Sequence, residues 1–191
     1  MKNCFTLFYL QGEKYYIHII RQTKYGMKTV YFVRHAKSSW ENPGLKDRDR
    51  PLNKRGKRDA PFMGKLLHGR GVQPGKIISS PANRALTTAT YFAEAFGLKK
   101  SDILVIDQLY EAYYEDVIRI LNGLSEEWDT VLLFGHNPTF TEVANLFAQK
   151  FIANIPTCGI ARVDDPVENW AEFGSDQARL TEFHYPKQYF D

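Results

Sequence analysis

From Thr29 onward, segments with strand character alternate with segments with helix character, and this alternation constrains the fold more than any other feature. The strand segments are 29–34, 76–79, 103–106 and 130–135, rich in β-branched, apolar and aromatic residues. A helix is expected from Asn53 to about His68, with Pro61 in its interior set to kink or split it. After Ser80 the chain offers Pro81 at the first helical position and an apolar stripe at Ala85, Ala89, Phe92, Ala93 and Phe96, with Gly97 as the closing residue. Residues 113–123 read as a short helix, and Thr139-x-x-Glu142 has the capping-box pattern that opens a helix over 139–149. Past Ile155-Pro156 the pattern turns to strands near 158–163, 169–173 and 179–184. Strand alternating with helix predicts an α/β fold, a three-layer α/β/α sandwich around a mostly parallel sheet. Ligands in such sheets bind beyond the carboxyl ends of the strands.

Met27-Lys28 directly precedes the first of these strands. The expected division is therefore a domain over 27–191 and an N-terminal extension over 1–26 of unassigned role, open to reading as an upstream translation start and as an extra strand around Tyr15 to Ile20. A chain of 191 residues buries enough surface to stand without staples. Cys4 and Cys158 alone provide neither a disulfide framework nor a CxxC zinc pattern, and His35 with His136 lacks a third ligand at a recognisable spacing. No metal and no cofactor is expected. No apolar run reaches membrane-helix length, and the short run from Cys4 to Leu10 lacks a cleavage site, so a cytoplasmic protein without a membrane partner is expected.

The formal charge is +3, too small to imply nucleic acid. It conceals segregation. Residues 46–70 hold nine Lys or Arg against three Asp, whereas 164–191 hold seven acidic residues against two basic ones. The basic run follows the first strand end, so Lys54, Arg55 and Arg58 are candidates for attracting an anionic substrate. The glycine-rich stretch from Gly69 to Gly75 has Pro74 where a dinucleotide fingerprint needs its third glycine, and it follows a helix rather than a strand, so it is a turn.

Three strand candidates end in polar residues with one chemical theme. The first ends in Arg34-His35, the second passes through Ser79-Ser80 into a helix holding Arg84, and the fourth ends in Gly135-His136-Asn137-Pro138. Two Arg, two His and two helix starts brought to one sheet edge make a site for a tetrahedral dianion, because Arg forks match phosphate oxygens and helix N-termini supply free N–H donors. A neutral imidazole is a competent nucleophile toward phosphorus when its other nitrogen is held as N–H. Phosphoryl transfer is catalysed mainly by positioning and by neutralising the equatorial oxygens. Lys37, Ser38 and Asn137 are further candidates for contact with the phosphate or the group that bears it.

These residues resemble motifs of the histidine phosphatase superfamily. Val33-Arg34-His35-Ala36 resembles its RHG signature with Ala in place of Gly, Ser79 to Ala89 resembles its second-arginine motif, and Phe134-Gly135-His136-Asn137-Pro138 its second-histidine motif. The stretch RHAKSSW from Arg34 to Trp40, with the short chain, is most similar to the SixA-type phosphohistidine phosphatases. The resemblance spans about residues 27 to 186 and implies a phosphoglycerate mutase-like fold. It implies a phosphorylated nucleophile at His35, a phosphate pocket of Arg34, Arg84 and His136, and a proton donor at Glu111, which follows the third strand. It further implies a phosphorylated protein as partner, such as a phosphohistidine-bearing phosphorelay domain. The lack of a large insertion between Arg84 and Glu111 fits an open site. The alternatives are a phosphomonoesterase acting on a small phosphorylated metabolite and a phosphate-dependent binding module without turnover. Nothing in the sequence sets the oligomeric state.

Overall fold

The computed structural model describes residues 5–10, 13–18 and 26–190. Strands β1 (Phe5–Leu10) and β2 (Glu13–His18) pair antiparallel with Leu10 opposite Glu13, so the extension does carry strand structure. Its expected end at Ile19-Ile20, like Cys4, lies outside the described residues.

The domain proper follows as β3 (Lys28–Arg34), α1 (Lys54–Gly69), β4 (Lys76–Ser79), α2 (Asn83–Ala95), β5 (Leu104–Val105), α3 (Tyr114–Asn122), β6 (Thr130–Gly135), α4 (Thr139–Phe147), β7 (Ile160–Asp165) and β8 (Arg179–His184). One six-stranded sheet has the order β5-β4-β6-β3-β7-β8. The pairs β5·β4, β4·β6 and β6·β3 are parallel, while β7 runs antiparallel to both β3 and β8, so a single strand opposes the rest.

Side chains of the central strands alternate between two cores, as a period of two requires. Tyr31, Val33, Ile77, Leu132 and Phe134 pack with Met63 and Leu67 of α1 and Phe92 of α2. Val30, Phe32, Ile78, Val131 and Leu133 pack with Val117 and Leu121 of α3 and Phe140 and Val143 of α4. The sheet is thus covered on both faces, and the three-layer expectation stands. Each fully buried Phe or Leu contributes about 1.5–3 kcal/mol.

Four local expectations need correction. Helix α1 runs unbroken across Pro61, with Asn53 as its N-cap accepting from Gly56 N–H at 2.9 Å, because packing of Ala60, Met63 and Gly64 against the sheet and α2 outweighs one missing backbone bond. Helix α2 begins at Asn83 rather than Pro81, since Ala82 is extended and its carbonyl receives the first helical N–H groups. Helix α4 has no side-chain cap: the Thr139 hydroxyl donates instead to the Ala112 carbonyl at 2.6 Å. Residues 169–173 are not a strand but a short turn of helix, Trp170–Glu172, which sinks Trp170 into the core. No helix among the described residues is long and apolar enough to cross a membrane.

The topology also fixes where a ligand can sit. Strand β6 leaves the sheet toward α4 on one face, whereas its neighbours β3 and β4 leave toward α1 and α2 on the other. Chains diverging to opposite faces open a crevice at the carboxyl ends of β3, β6 and β4.

Candidate active site

All of the polar strand ends meet in that crevice. Backbone pairing continues one residue past β3, with His35 N–H donating to the Gly135 carbonyl at 3.0 Å and Arg34 N–H to the Gly159 carbonyl at 3.0 Å. The His35 backbone is thereby fixed to the sheet. Its Nδ1 lies 2.8 Å from the Ala36 carbonyl, which can only accept, so Nδ1 carries the proton and Nε2 the lone pair. Arg84 Nε, always a donor, lies 3.3 Å from that Nε2 and requires the same tautomer. Burial pushes the pKa of His35 down to about 3; the Ala36 contact opposes this, and His136, Arg84 and Arg34 add to it. The ring is neutral at pH 7, with a directed lone pair.

His136 follows β6, its ring centroid 5.1 Å from that of His35. Its Nε2 is 2.8 Å from the hydroxyl of Ser80, a fully buried residue just past β4. Burial, with Arg84 and Arg34 in the same sense and Asp47 against, lowers its pKa to about 4. The Tyr110 ring stands edge-on to it at 5.9 Å.

The two arginines are held differently. Arg34 donates through Nη1 to the Ile155 carbonyl at 2.7 Å and to Asn154 Oδ1 at 3.2 Å, both neutral acceptors, and burial lowers its pKa. Arg84, 7% exposed in the first turn of α2, donates to the Asp47 carbonyl at 2.6 Å and to Asp47 Oδ2 at 2.8 Å. The Thr88 hydroxyl donates to the Arg84 carbonyl at 2.6 Å and accepts from Ala36 N–H at 3.0 Å, which ties α2 to the nucleophile loop.

Among the described residues, three buried side-chain polar atoms lack a hydrogen-bond partner: Arg34 Nε, His136 Nδ1 and Asn137 Oδ1. All three belong to this one crevice. An orphaned buried donor is costly, and Arg34 Nε–H has no other role than to donate. Together with the inner edge of Arg84, the Arg34 and His136 nitrogens suit a tetrahedral oxyanion placed against His35 Nε2, whereas Asn137 Oδ1 can only accept.

Glu111 is exposed and sits in the left-handed region at φ 57°, which turns the 110–113 loop over the crevice. It lines a cleft of about 330 Å³ that runs from Arg84 and His136 past Tyr110 and Tyr113 to Thr139 and Glu142.

Of the other candidates, Ser38 is not brought to the site: it is buried, bridges to Leu52, and its hydroxyl accepts from Arg50 Nη2 at 2.7 Å. Lys37 supports the loop through its backbone, its carbonyl accepting from Asn53 N–H at 3.0 Å. Asn137 turns its amide donors to Asn154 Oδ1 and the Ile155 carbonyl at 2.7 and 3.1 Å, so it braces the segment that holds Arg34 and offers the crevice only an acceptor. In the basic run, Arg55 donates to Thr157 and Arg58 pairs with Asp59, so both are engaged within the fold. The sequence reading missed Asp47, Ser80, Tyr110 and the Asn154-Ile155 segment as site residues. Ser80 lies inside the second-arginine motif, whereas Asp47 sits within the basic run, where no local pattern marks it as a partner of Arg84.

The histidine phosphatase superfamily (branch 1) profile matches residues 30–143. An uncharacterized protein of Mycobacterium leprae is 32% identical over 167 residues, 81% of this chain and 100% of that one. A SixA structure from Agrobacterium tumefaciens, assigned to the phosphohistidine phosphatases, is 32% identical with a TM-score of 0.70 and covers 83% of this chain and 98% of that one. A protein histidine phosphatase SixA complexed with tungstate shares the fold at 22% identity, with a TM-score of 0.70 over 84% of this chain and 98% of that one.

Proposed function

The chain belongs to the histidine phosphatase superfamily, and from that premise we propose that it hydrolyses protein phosphohistidine through a phosphorylated His35. The observation that carries the reading is the doubly fixed tautomer of His35, whose Nε2 lone pair faces the cations and orphaned donors of the crevice. Nε2 attacks phosphorus while Arg34, Arg84 and His136 hold the equatorial oxygens. The bond to the leaving group breaks, and its electron pair goes to the departing nitrogen or oxygen. A phosphoimidazole protonated on its distal nitrogen leaves as neutral imidazole without further help, whereas an alkoxide takes a proton from Glu111. Water entering through the cleft then attacks phosphorus, breaks the P–Nε2 bond and restores neutral His35. Tyr113, 74% exposed at the mouth, leaves the entrance open to a protein surface.

The test compares wild type with His35→Ala on a phosphohistidine peptide, an aryl phosphate and a panel of sugar and nucleotide phosphates, with alkaline quenching to trap label on His35. Turnover of the phosphohistidine peptide above the panel, abolished in the variant, is expected. Preference for a small ester would make the protein a metabolite phosphatase. Tight phosphopeptide binding without label on His35 would make it a binding module.

A further inference from the structure

Arg84 has two usable edges: the side edge formed by Nε–H with one Nη2–H, and the end edge formed by Nη1–H with the other Nη2–H. Only the side edge faces the nucleophile, with Nε 3.3 Å from His35 Nε2. The end edge is closed by one residue acting through two groups, the Asp47 carbonyl on Nη1 and the Asp47 carboxylate on Nη2. Asp47 is itself clamped. Arg50 Nη1 donates to its Oδ1 at 2.8 Å and the Tyr110 hydroxyl to its Oδ2 at 3.0 Å. Arg50, 7% exposed, is locked in turn by the Ser39 carbonyl at 3.1 Å, by Ser38 Oγ at 2.7 Å and by the Trp40 ring stacked 3.2 Å from its guanidinium carbon. An exposed ion pair contributes little by itself. Here the Asp47 side chain is half exposed, but both arginines that it joins are nearly buried, so the pair fixes geometry.

We propose that Asp47 is a positioning residue, which holds the end edge of Arg84 so that its side edge is presented to the phosphoryl group at His35. The inference rests on the proposed function and deepens it by assigning the residue that aims the second arginine. It contrasts with a carboxylate that merely occupies Arg84 until phosphate displaces it. A positioning carboxylate stays on the end edge when phosphate binds at the side edge, and its removal loosens the arginine. A competing carboxylate weakens phosphate binding, and its removal tightens it.

The experiment measures turnover of an aryl phosphate and of a phosphohistidine peptide, together with calorimetric binding of inorganic phosphate and tungstate, for wild type, Asp47→Ala, Asp47→Asn, Arg84→Ala and the double variant Asp47→Ala/Arg84→Ala. For Asp47→Ala, kcat should fall at least tenfold with KM changed less, and both anions should bind more weakly. Asp47→Asn keeps an acceptor for Nη2 and should recover part of the loss, and being nearly isosteric it remains informative if the alanine variant folds poorly. In the Arg84→Ala background the Asp47 substitution should add less than twofold, because Asp47 acts through Arg84. Unchanged turnover, tighter anion binding or full additivity would overturn the proposal. Absence of turnover in wild type would instead count against the proposed function, while the anion-binding comparison would still decide the role of Asp47.

Discussion

Strand β3 carries a cation at each end, Lys28 buried and Arg34 half-buried, and the two are treated in opposite ways. Lys28, 1% exposed at its start, is met by Asp129 at 2.9 Å, by Glu126 at 3.1 Å and by the Trp170 ring at 5.5 Å. Burial alone would lower its pKa, but hydrogen bonds and charge from Asp129 and Glu126 outweigh this and raise it. Arg34, at the other end, meets only an amide oxygen and a backbone carbonyl, and its pKa is lowered by burial. A structural cation is neutralised where it stands. Arg34 is held in place by neutral acceptors, so that its charge remains for an anion, and the cost of its partial burial is stored at the site.

Replacing the two cations breaks the comparison most directly. Arg34→Met should lower kcat/KM by on the order of 10³-fold, the scale of losing a principal oxyanion donor, while the thermal midpoint holds or rises because a half-buried charge with no counter-ion is gone. Lys28→Met should do the reverse, with activity within about twofold and stability lower by about 1–2 kcal/mol, as the charged hydrogen bonds to Asp129 and Glu126 and the contact with the Trp170 ring are lost. Steady-state kinetics and thermal unfolding on the same preparations read both, and a destabilised Arg34→Met with normal turnover would refute the division.

The next effect concerns the histidines beside Arg34. Their folded pKa values, about 3 and about 4, lie below the ordinary 6.5, so between these values the unfolded chain binds more protons than the folded one. Stability from both groups is therefore present above pH 6.5 and lost as pH falls toward 4, with a slope of up to about 1.4 kcal/mol per pH unit for each. Inorganic phosphate, whose charge like that of Asp47 favours protonated imidazole and opposes Arg34 and Arg84, should flatten the slope. Chemical denaturation between pH 7 and pH 5, with and without phosphate, checks both, and a flat phosphate-free profile would contradict the neutral pair.

What the sequence made legible divides along the same line. The motif residues Arg34, His35, Arg84 and His136 could be placed because each closes a strand or opens a helix, and the sheet's topology does the rest. The partners that set their chemistry could not. Lys28 with Asp129 and Glu126, Arg34 with Ile155 and Arg84 with Asp47 are contacts between residues 37 to 121 positions apart, and no local period encodes them. The same cause explains the missed turn at Trp170, where a buried indole donating to the Trp128 carbonyl at 2.6 Å overrides a strand-like composition. The engagement of Ser38 is equally hidden, because the Arg50 that donates to its hydroxyl lies twelve residues on.

Arg50 offers the finest test, since its partners combine both treatments: one carboxylate, one carbonyl, one hydroxyl and the face of Trp40. Trp40 is 72% exposed, so its contribution is that of a surface cation–π contact, about 0.5–1 kcal/mol. Trp40→Ala leaves every hydrogen bond of Arg50 intact and removes only the ring that stiffens it. If neutral or charged acceptors fix these cations, as the ends of β3 imply, the variant should lose about twofold in kcat/KM with its pH profile unmoved. A loss approaching that of Asp47→Ala would mean that stacking, rather than the acceptor set, holds the arginine, and the contrast between Lys28 and Arg34 would then need the aromatic partner of Lys28 counted as heavily as its carboxylates.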